Sequence, residues 1–407
     1  MQSILKCCAG LDVHKMMVMA TVQTEDENGE IKEITQSFKT YRRERRKLRD
    51  FLVKHQVELV VMESTGVYWK CVHETLIKAG LKVWVVNARH VKNVPGRKTD
   101  VQDSQWLATL GRCGLLRPSF VPPPDIEQLR LLFRRRQKLV GQLAGEKTRL
   151  HKVLDDAGIR LGGVVSDIHG KSAQEMVQGL IDGLPPQELV KFARGKLKSK
   201  TKELFDSMEG SLSSAHLTVL KSIRKHIQYL DDEVAELDAG IRNIVQTQYR
   251  EPWQLLQTLP GVNEISAAGL IAEIGDDMRA FGSRESLASW AGLCPGNNES
   301  AGKRKSGKTR KGNQSLRRLM CEISQAAVKT KSQFKGKHQS LTIRRGYKRS
   351  IIAIGHKMLR VIYCILTRLT PYKDPEIDYE ALTVHRNAPR WLQMLQKYNY
   401  LPALTKE

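Results

Sequence analysis

The first quarter of the chain alternates short apolar runs with polar breaks, a pattern that predicts strands interleaved with amphipathic helices. Residues 3–24 read as two strands joined at His14-Lys15, and the turn signal Glu27-Asn28-Gly29 leads to a third, Ile31 to Thr40. A charged segment from about Arg42 to His55 keeps Leu48, Phe51 and Leu52 on one side, as a surface helix does. Leu59-Val60-Val61-Met62 forms a strand ending at Glu63, and a helix from about Val67 to Ala79 stops at Gly80. Val83-Trp84-Val85-Val86 is a fifth strand, and a helix carrying Asp100 and Asp103 closes the unit.

Strand, strand, strand, helix, strand, helix, strand, helix is the order of an RNase H-like domain. In that arrangement the first and fourth strands are parallel neighbours, so Asp12 and Glu63 meet at their carboxyl ends. Asp100 and Asp103, three apart, share one helix face. Four converging acids suit Mg²⁺, which takes oxygen ligands and is held by a few carboxylates plus substrate phosphate. Two such ions about 4 Å apart serve phosphoryl displacement. The alternative is that each acid is an ordinary solvated one; Asp12, directly after an apolar strand, argues against it, because an unpaired carboxylate there is costly.

Pro118 to Pro124 holds four prolines and marks a stiff linker. Beyond it, Leu220, Ile223, Ile227, Leu230, Val234, Leu237, Ile241 and Ile244 alternate steps of three and four, the seam of a coiled coil. An earlier stretch, Ile126 to Leu154, keeps the same phase but puts Arg136 and Lys147 on the seam. The two stretches can pair within one chain or drive oligomerisation. Near Glu251 a compact third unit begins. Leu256 to Val262 followed by the small-residue helix Ser266 to Ile274 reads either as half of a helix-hairpin-helix offering amides to phosphate, or as a plain helical corner. The expected division is 1–120, a catalytic α/β domain; 121–250, helical and coiled coil; 251–370, mainly helical; and 371–407, a tail.

Charge sharpens the picture. Lys+Arg 67 against Asp+Glu 43 gives +24 with pI near 9.8, a balance that favours polyanions. Residues 301–350 contain sixteen Lys or Arg and one acid, Glu322, which points to nucleic-acid contact. The cations closest to the candidate chemistry are Lys303, Arg304, Lys305, Lys308, Arg310, Lys311, Arg317 and Arg318. The seven cysteines show no CxxC spacing and read as reduced thiols of a cytoplasmic protein. No secretory leader is legible, and Ile351 to Leu369, broken by His356, Lys357, Arg360 and Arg368, reads as a core helix and not a membrane span.

A second candidate centre is the segment Gly292 to Lys308. Ser300 or Ser306 among small residues and cations either attacks a phosphodiester or simply contacts phosphate. Gly10-Leu11-Asp12-Val13-His14-Lys15, Met62-Glu63-Ser64-Thr65-Gly66, Lys98-Thr99-Asp100-Val101-Gln102-Asp103 and Pro295 through Asn313 together resemble the DEDD transposases of bacterial insertion sequences. These are relatives of the Piv DNA invertase and the group called bridge-RNA-guided recombinases. The resemblance runs from about residue 3 to 370. It implies that Asp12, Glu63, Asp100 and Asp103 are a metal-binding set on a RuvC-like domain, with Mg²⁺ or Mn²⁺ as the ion. It also implies that Ser300 is a nucleophile forming a covalent serine–DNA intermediate. Further implied are donor and target double-stranded DNA, a structured guide RNA from the element, and a homo-oligomer, dimer or tetramer, in which one subunit's acids work with another's serine. The competing readings are a RuvC-like junction nuclease using metal-activated water and a non-catalytic nucleic-acid scaffold.

Overall fold

The computed structural model describes residues 3–64, 66–88, 91, 102–296, 298–300, 303–306, 308–309, 311–375 and 377–400. The chain divides into two units, Met1–Val121 and Pro122–Glu407.

The first unit is built on β1 (Cys7–Val13), β2 (Met17–Glu25), β3 (Ile31–Lys39), α1 (Arg42–Lys54), β4 (Leu59–Glu63), α2 (Trp69–Ile77), β5 (Val83–Val86) and α3 (Gln102–Arg112). The sheet runs β3-β2-β1-β4-β5. Its first three strands are antiparallel, whereas β4 lies parallel to both β1 and β5. Alternation along the strands divides two cores. Ala9, Leu11, Val60, Met62 and Val85 face Leu48 and Leu52 of α1 and Val72 and Leu76 of α2. Each buried leucine there contributes roughly 1.5–3 kcal/mol. Cys8, Leu59, Val61 and Val86 face Leu107 and Leu110 of α3. Gly10 lets α3 lie directly on the sheet: a β-carbon there would stand 2.0 Å from the Ser104 carbonyl oxygen and 2.5 Å from the Ala108 amide. A mixed sheet of this order, with helices on both faces, is the RNase H-like fold expected from the element order.

The second unit opens with α4 (Pro124–Asp156), whose proline occupies the first turn where no amide partner is needed. It continues through α5 (Lys171–Ile181), α6 (Thr201–Ser207) and α7 (Ser214–Gln248). Tyr249 donates to Asp125, Arg136 pairs with Asp238, His226 lies 3.2 Å from Glu146, and His216 lies 3.0 Å from Asp156. One index falls as the other rises, so α4 and α7 form an antiparallel hairpin within one chain. Arg136, an anomaly on an apolar seam, has its counter-ion there. Leu220, Ile223, Ile227, Leu230 and Ile241 are buried as the heptads predict. At the far end Val245 is buried while Ile244 is only partly so. A straight helix drifts about 20° per heptad from a strict repeat, which accounts for the shift.

Beyond α7, short helical turns aside, come α8 (Arg250–Gln257), α9 (Glu264–Ile274), α10 (Arg284–Trp290), β6 (Asn298–Ser300), β7 (Lys303–Ser306), α11 (Gln314–Ala327), α12 (Gln333–Arg345), α13 (Tyr347–Arg368) and α14 (Tyr379–Lys397). Helix α9 is buried from Ala267 to Ile274 and forms the centre of this core. Gly261 at the preceding turn (φ +83°) is pressed against α11, where a β-carbon would meet the Ala327 amide at 2.5 Å. The turn is therefore a packed helical corner. Among the described residues α13 is the one helix long and apolar enough to cross a membrane. Ile351, Ile354, Met358, Leu359, Ile362, Ile365 and Leu366 bury one of its faces in the core. Tail residues past Pro371, where the sequence shows no sharp pattern, form α14.

Candidate active site

Asp12 and Glu63 each follow a paired residue: Leu11 of β1 stands opposite Met62 of β4 in the parallel ladder. Each acid lies one residue further along, at the carboxyl ends of adjacent strands and on the face covered by α3. The packing of α3 also fixes where its first turn falls. Gly111 stands over Cys8 and Val61, while Ser104, Leu107 and Ala108 stand over Gly10. Two residues along β1 thus correspond to roughly four or five residues back along the helix, as rises of about 3.3 and 1.5 Å require. The next such step carries Asp12 to the level of the first turn of α3, where Asp103 sits. A buried hydrogen bond from Thr21 of β2 to Ser104, 2.8 Å, pins that end of the helix.

Asp12 and Glu63 therefore share one edge and one face, and Asp103 lies in the first turn of the helix packed over that face; Asp100 lies outside the described residues. Asp12 is partly exposed (25% of its side chain) and accepts or shares a proton with His14, Nε2 to Oδ2 2.9 Å. His14 was legible only as part of a motif, although residues two apart on a strand share a face. Among the described residues no three acids, histidines or cysteines close into a metal-holding group. The donor set nonetheless fits a hard divalent cation: all oxygen, open to solvent on one side, and free of sulfur.

Within the second candidate segment, β6 and β7 pair antiparallel as a two-stranded ribbon. Ser300 pairs with Lys303 and Glu299 with Arg304, a register shift follows Asn298, and Pro295 bridges to Thr309. Gly296 donates to the Lys308 carbonyl oxygen at 2.8 Å. Ser300 thus ends β6, and Lys303, Arg304 and Lys305 lie on β7. Backbone pairing is all that is described of these two strands, and Arg310 lies outside the described residues. Lys308, Lys311 and Arg318 are exposed and Arg317 half-buried.

What holds the foot of this hairpin was missed in the sequence. Glu273 of α9 is fully buried and takes two bonds from the Arg134 guanidinium, both 2.8 Å, and one from Asn313 Nδ2, 2.5 Å. Arg130 donates to the Ala272 and Glu273 carbonyl oxygens at 2.9 and 2.8 Å. Asn313 in turn caps α11, its Oδ1 accepting from the Ser315 and Leu316 amides at 3.1 Å. Burial pushes the Glu273 carboxyl up, but Arg134, Arg130 and Asn313 outweigh it and hold it below the usual carboxylate range. Gly312, just before the cap, has the Gly292 amide 2.3 Å from where a β-carbon would stand. A glutamate inside the small-residue run Ala267–Ile274 is the signal that could have found this network.

A family model of DEDD transposases, described as "Transposase", matches residues 9–159, and one described as "Transposase IS116/IS110/IS902 family" matches residues 253–339. The transposase for insertion sequence element IS1111A of Coxiella burnetii is 24% identical over 328 residues, covering 78% of this chain and 80% of that one. A probable family 20 transposase of Pseudomonas aeruginosa is 25% identical over 341 residues, covering 81% of this chain and 90% of that one. Among solved structures, Thermus thermophilus RuvC is similar at 16% identity with a TM-score of 0.22, covering 28% of this chain and 99% of that one. The fold assignment itself rests on the strand order and pairing. With both family models matched in order across an acidic RNase H-like sheet and a helical unit holding the hairpin, the chain belongs to the DEDD transposase family of bacterial insertion sequences.

Proposed function

We propose that this transposase is an RNA-guided site-specific recombinase that cuts and rejoins donor and target DNA through a covalent bond to Ser300. The observation that carries the reading is the strand register that sets Asp12 and Glu63 side by side under the first turn of α3. Asp12, Glu63, Asp100 and Asp103 would hold a divalent ion, Mg²⁺ or Mn²⁺. When bound there it neutralises charge on the phosphate under attack. His14 orients the Asp12 carboxylate. The Ser300 hydroxyl oxygen bonds to phosphorus and loses its proton, and one strand leaves with a free hydroxyl. Rejoining reverses the step with a different strand end, so the phosphodiester energy is conserved and no nucleotide cofactor is required. The cations Lys303, Arg304, Lys305, Lys308, Arg310 and Lys311, with Arg317 and Arg318 on α11, offset phosphate charge. Base pairing with a structured RNA from the element supplies sequence choice, and a dimer or tetramer brings two duplexes to the required number of sites.

The test is a denaturing-gel assay for protein-linked DNA. Full-length protein is mixed with labelled element-end DNA, Mg²⁺ and RNA transcribed from the element's flank. A linked band present in wild type and lost in both Ser300→Ala and Asp12→Ala is the expected result. Cut DNA with no linked band, unaffected by Ser300→Ala, would replace this reading with a RuvC-like nuclease that uses water. A band independent of added RNA would remove the guide from the account.

A further inference from the structure

Helices α12 and α13 meet at Gly346, whose φ of +77° reverses the chain in a single residue. The corner presents an unusual surface. Ile343 is 83% exposed and Tyr347 50% exposed, and Arg344, Arg345, Lys348 and Arg349 surround them, all exposed. None of the four cations makes an ion pair among the described residues, and no Asp or Glu occurs between Glu322 and Asp374. A single exposed isoleucine needs no explanation. An apolar tip ringed by four unpaired cations is a different object, because each cation strengthens attraction to the same polyanion.

The corner is also stiff. The fully buried Ser350 hydroxyl bonds His338 Nδ1 at 2.8 Å, the Thr342 hydroxyl at 3.0 Å and the Tyr347 carbonyl oxygen at 2.9 Å. The Tyr347 ring stands edge-on to His338, centroids 5.3 Å apart at 87°. Both helices are therefore fixed from beneath, so the tip keeps its shape when loaded. Rigid apolar side chains between flanking cations fit a DNA duplex opened at one base step: the apolar groups enter the minor groove and unstack the step while the cations hold phosphates on either side. The narrow, deep major groove and shallow minor groove of A-form RNA offer no such entry.

We propose that the α12–α13 corner is a DNA wedge, with Ile343 and Tyr347 parting a base step and Arg344, Arg345, Lys348 and Arg349 gripping the phosphates beside it. It rests on DNA being the substrate of this chain, and not on Ser300 or the carboxylates. The experiment uses full-length protein, in wild-type and Ser300→Ala backgrounds, on element-end duplexes with 2-aminopurine scanned through successive positions. Wild type should raise 2-aminopurine fluorescence at one step, equally in both backgrounds, so failure of the serine reading leaves this test intact. Ile343→Ala with Tyr347→Ala should abolish that rise while leaving the salt dependence of binding unchanged. Changing all four cations to alanine should lower the slope of log K against log salt by about 3.6, four contacts at about 0.9 each. All six positions are exposed, and an unchanged circular dichroism melt confirms that each variant folds. A fluorescence rise that survives the double variant, a slope change below about 1, or a slope change seen on the element's RNA but not on DNA would each overturn the proposal.

Discussion

Replacing Glu273 tests whether the hairpin's foot is held electrostatically. Glu273→Ala removes a carboxylate with no solvent exposure and leaves the Arg134 guanidinium and the Asn313 amide without their acceptor. Breaking a buried ion pair by deleting one partner typically costs about 3–5 kcal/mol. Here Arg134 is 47% exposed and can rehydrate, and Arg130 keeps its two carbonyl acceptors, so the lower end applies, about 3 kcal/mol. Glu273→Gln keeps the shape but offers one acceptor oxygen and turns an NH₂ toward a donor, which costs about 2 kcal/mol.

The pH dependence gives the argument its sign. The folded-state carboxyl is held below its usual range, so the unfolded chain takes up the proton first as pH falls. The stabilisation is complete above the unfolded pKa, about 4.3, and disappears as pH drops through the folded value. Urea unfolding of wild type, Glu273→Gln and Glu273→Ala at pH 7 and at pH 3 measures both effects. The wild-type advantage over Glu273→Gln should shrink at the lower pH, and hydrogen exchange should show the α11 amides of Ser315 and Leu316 opening first in the alanine variant. A cost under about 0.5 kcal/mol, or an advantage that does not change with pH, would refute the reasoning.

Three other outcomes follow from contacts already described. Gly10→Val has no room beneath α3, where backbone atoms stand 2.0 and 2.5 Å from the missing β-carbon; it should cost about 3 kcal/mol in thermal unfolding and abolish DNA cleavage together. Gly269 is pressed on Phe133, whose ring lies 2.2 Å from a β-carbon built there, so Gly269→Ala should be destabilising in wild type and less so in Phe133→Leu, with a coupling of about 1 kcal/mol in a double-mutant cycle. Burial, with the neighbouring Cys7, pushes the Cys8 thiol up to about 12; at pH 8 in the native state it should stay unmodified by a disulfide reagent, and mass spectrometry of labelled peptides checks this.

The RNase H-like unit was legible almost residue by residue because its code is local. Strand period, the Glu27-Asn28-Gly29 turn and the glycine stop at Gly80 each act over a few residues, and Gly29 and Gly80 do adopt positive φ (+81° and +79°). The coiled-coil seam was legible for the same reason, but not its partner: a heptad repeat is equally satisfied by a helix of the same chain or of another. The alternation of charges settles the intramolecular pairing only after folding, when Arg136 finds Asp238 and Glu146 finds His226.

The acidic edge of the first unit and the hairpin base of the second differ in the same way. Asp12 and Glu63 were foreseeable because parallel pairing of β1 with β4 forces the residues after Leu11 and Met62 to one edge, whatever their chemistry. Nothing comparable announces Glu273, since its partners come from sequence distances of 40 and 139 residues. A buried carboxylate with such distant partners is meaningful only when all arrive together. Arg134 comes from the long helix, Asn313 from the cap of α11, and the carboxylate from the most buried helix of the unit. The carboxylate would cost stability alone, because a fully buried charge without a partner is worse than an apolar residue in its place. Their joint presence therefore fixes the start of α11, and with it the strand exit from the hairpin that ends in Thr309, in one position relative to α4 and α9. The two-stranded ribbon needs that constraint at its base, because its own pairing, from Pro295 with Thr309 to Ser300 with Lys303, joins no further strand among the described residues to set its direction.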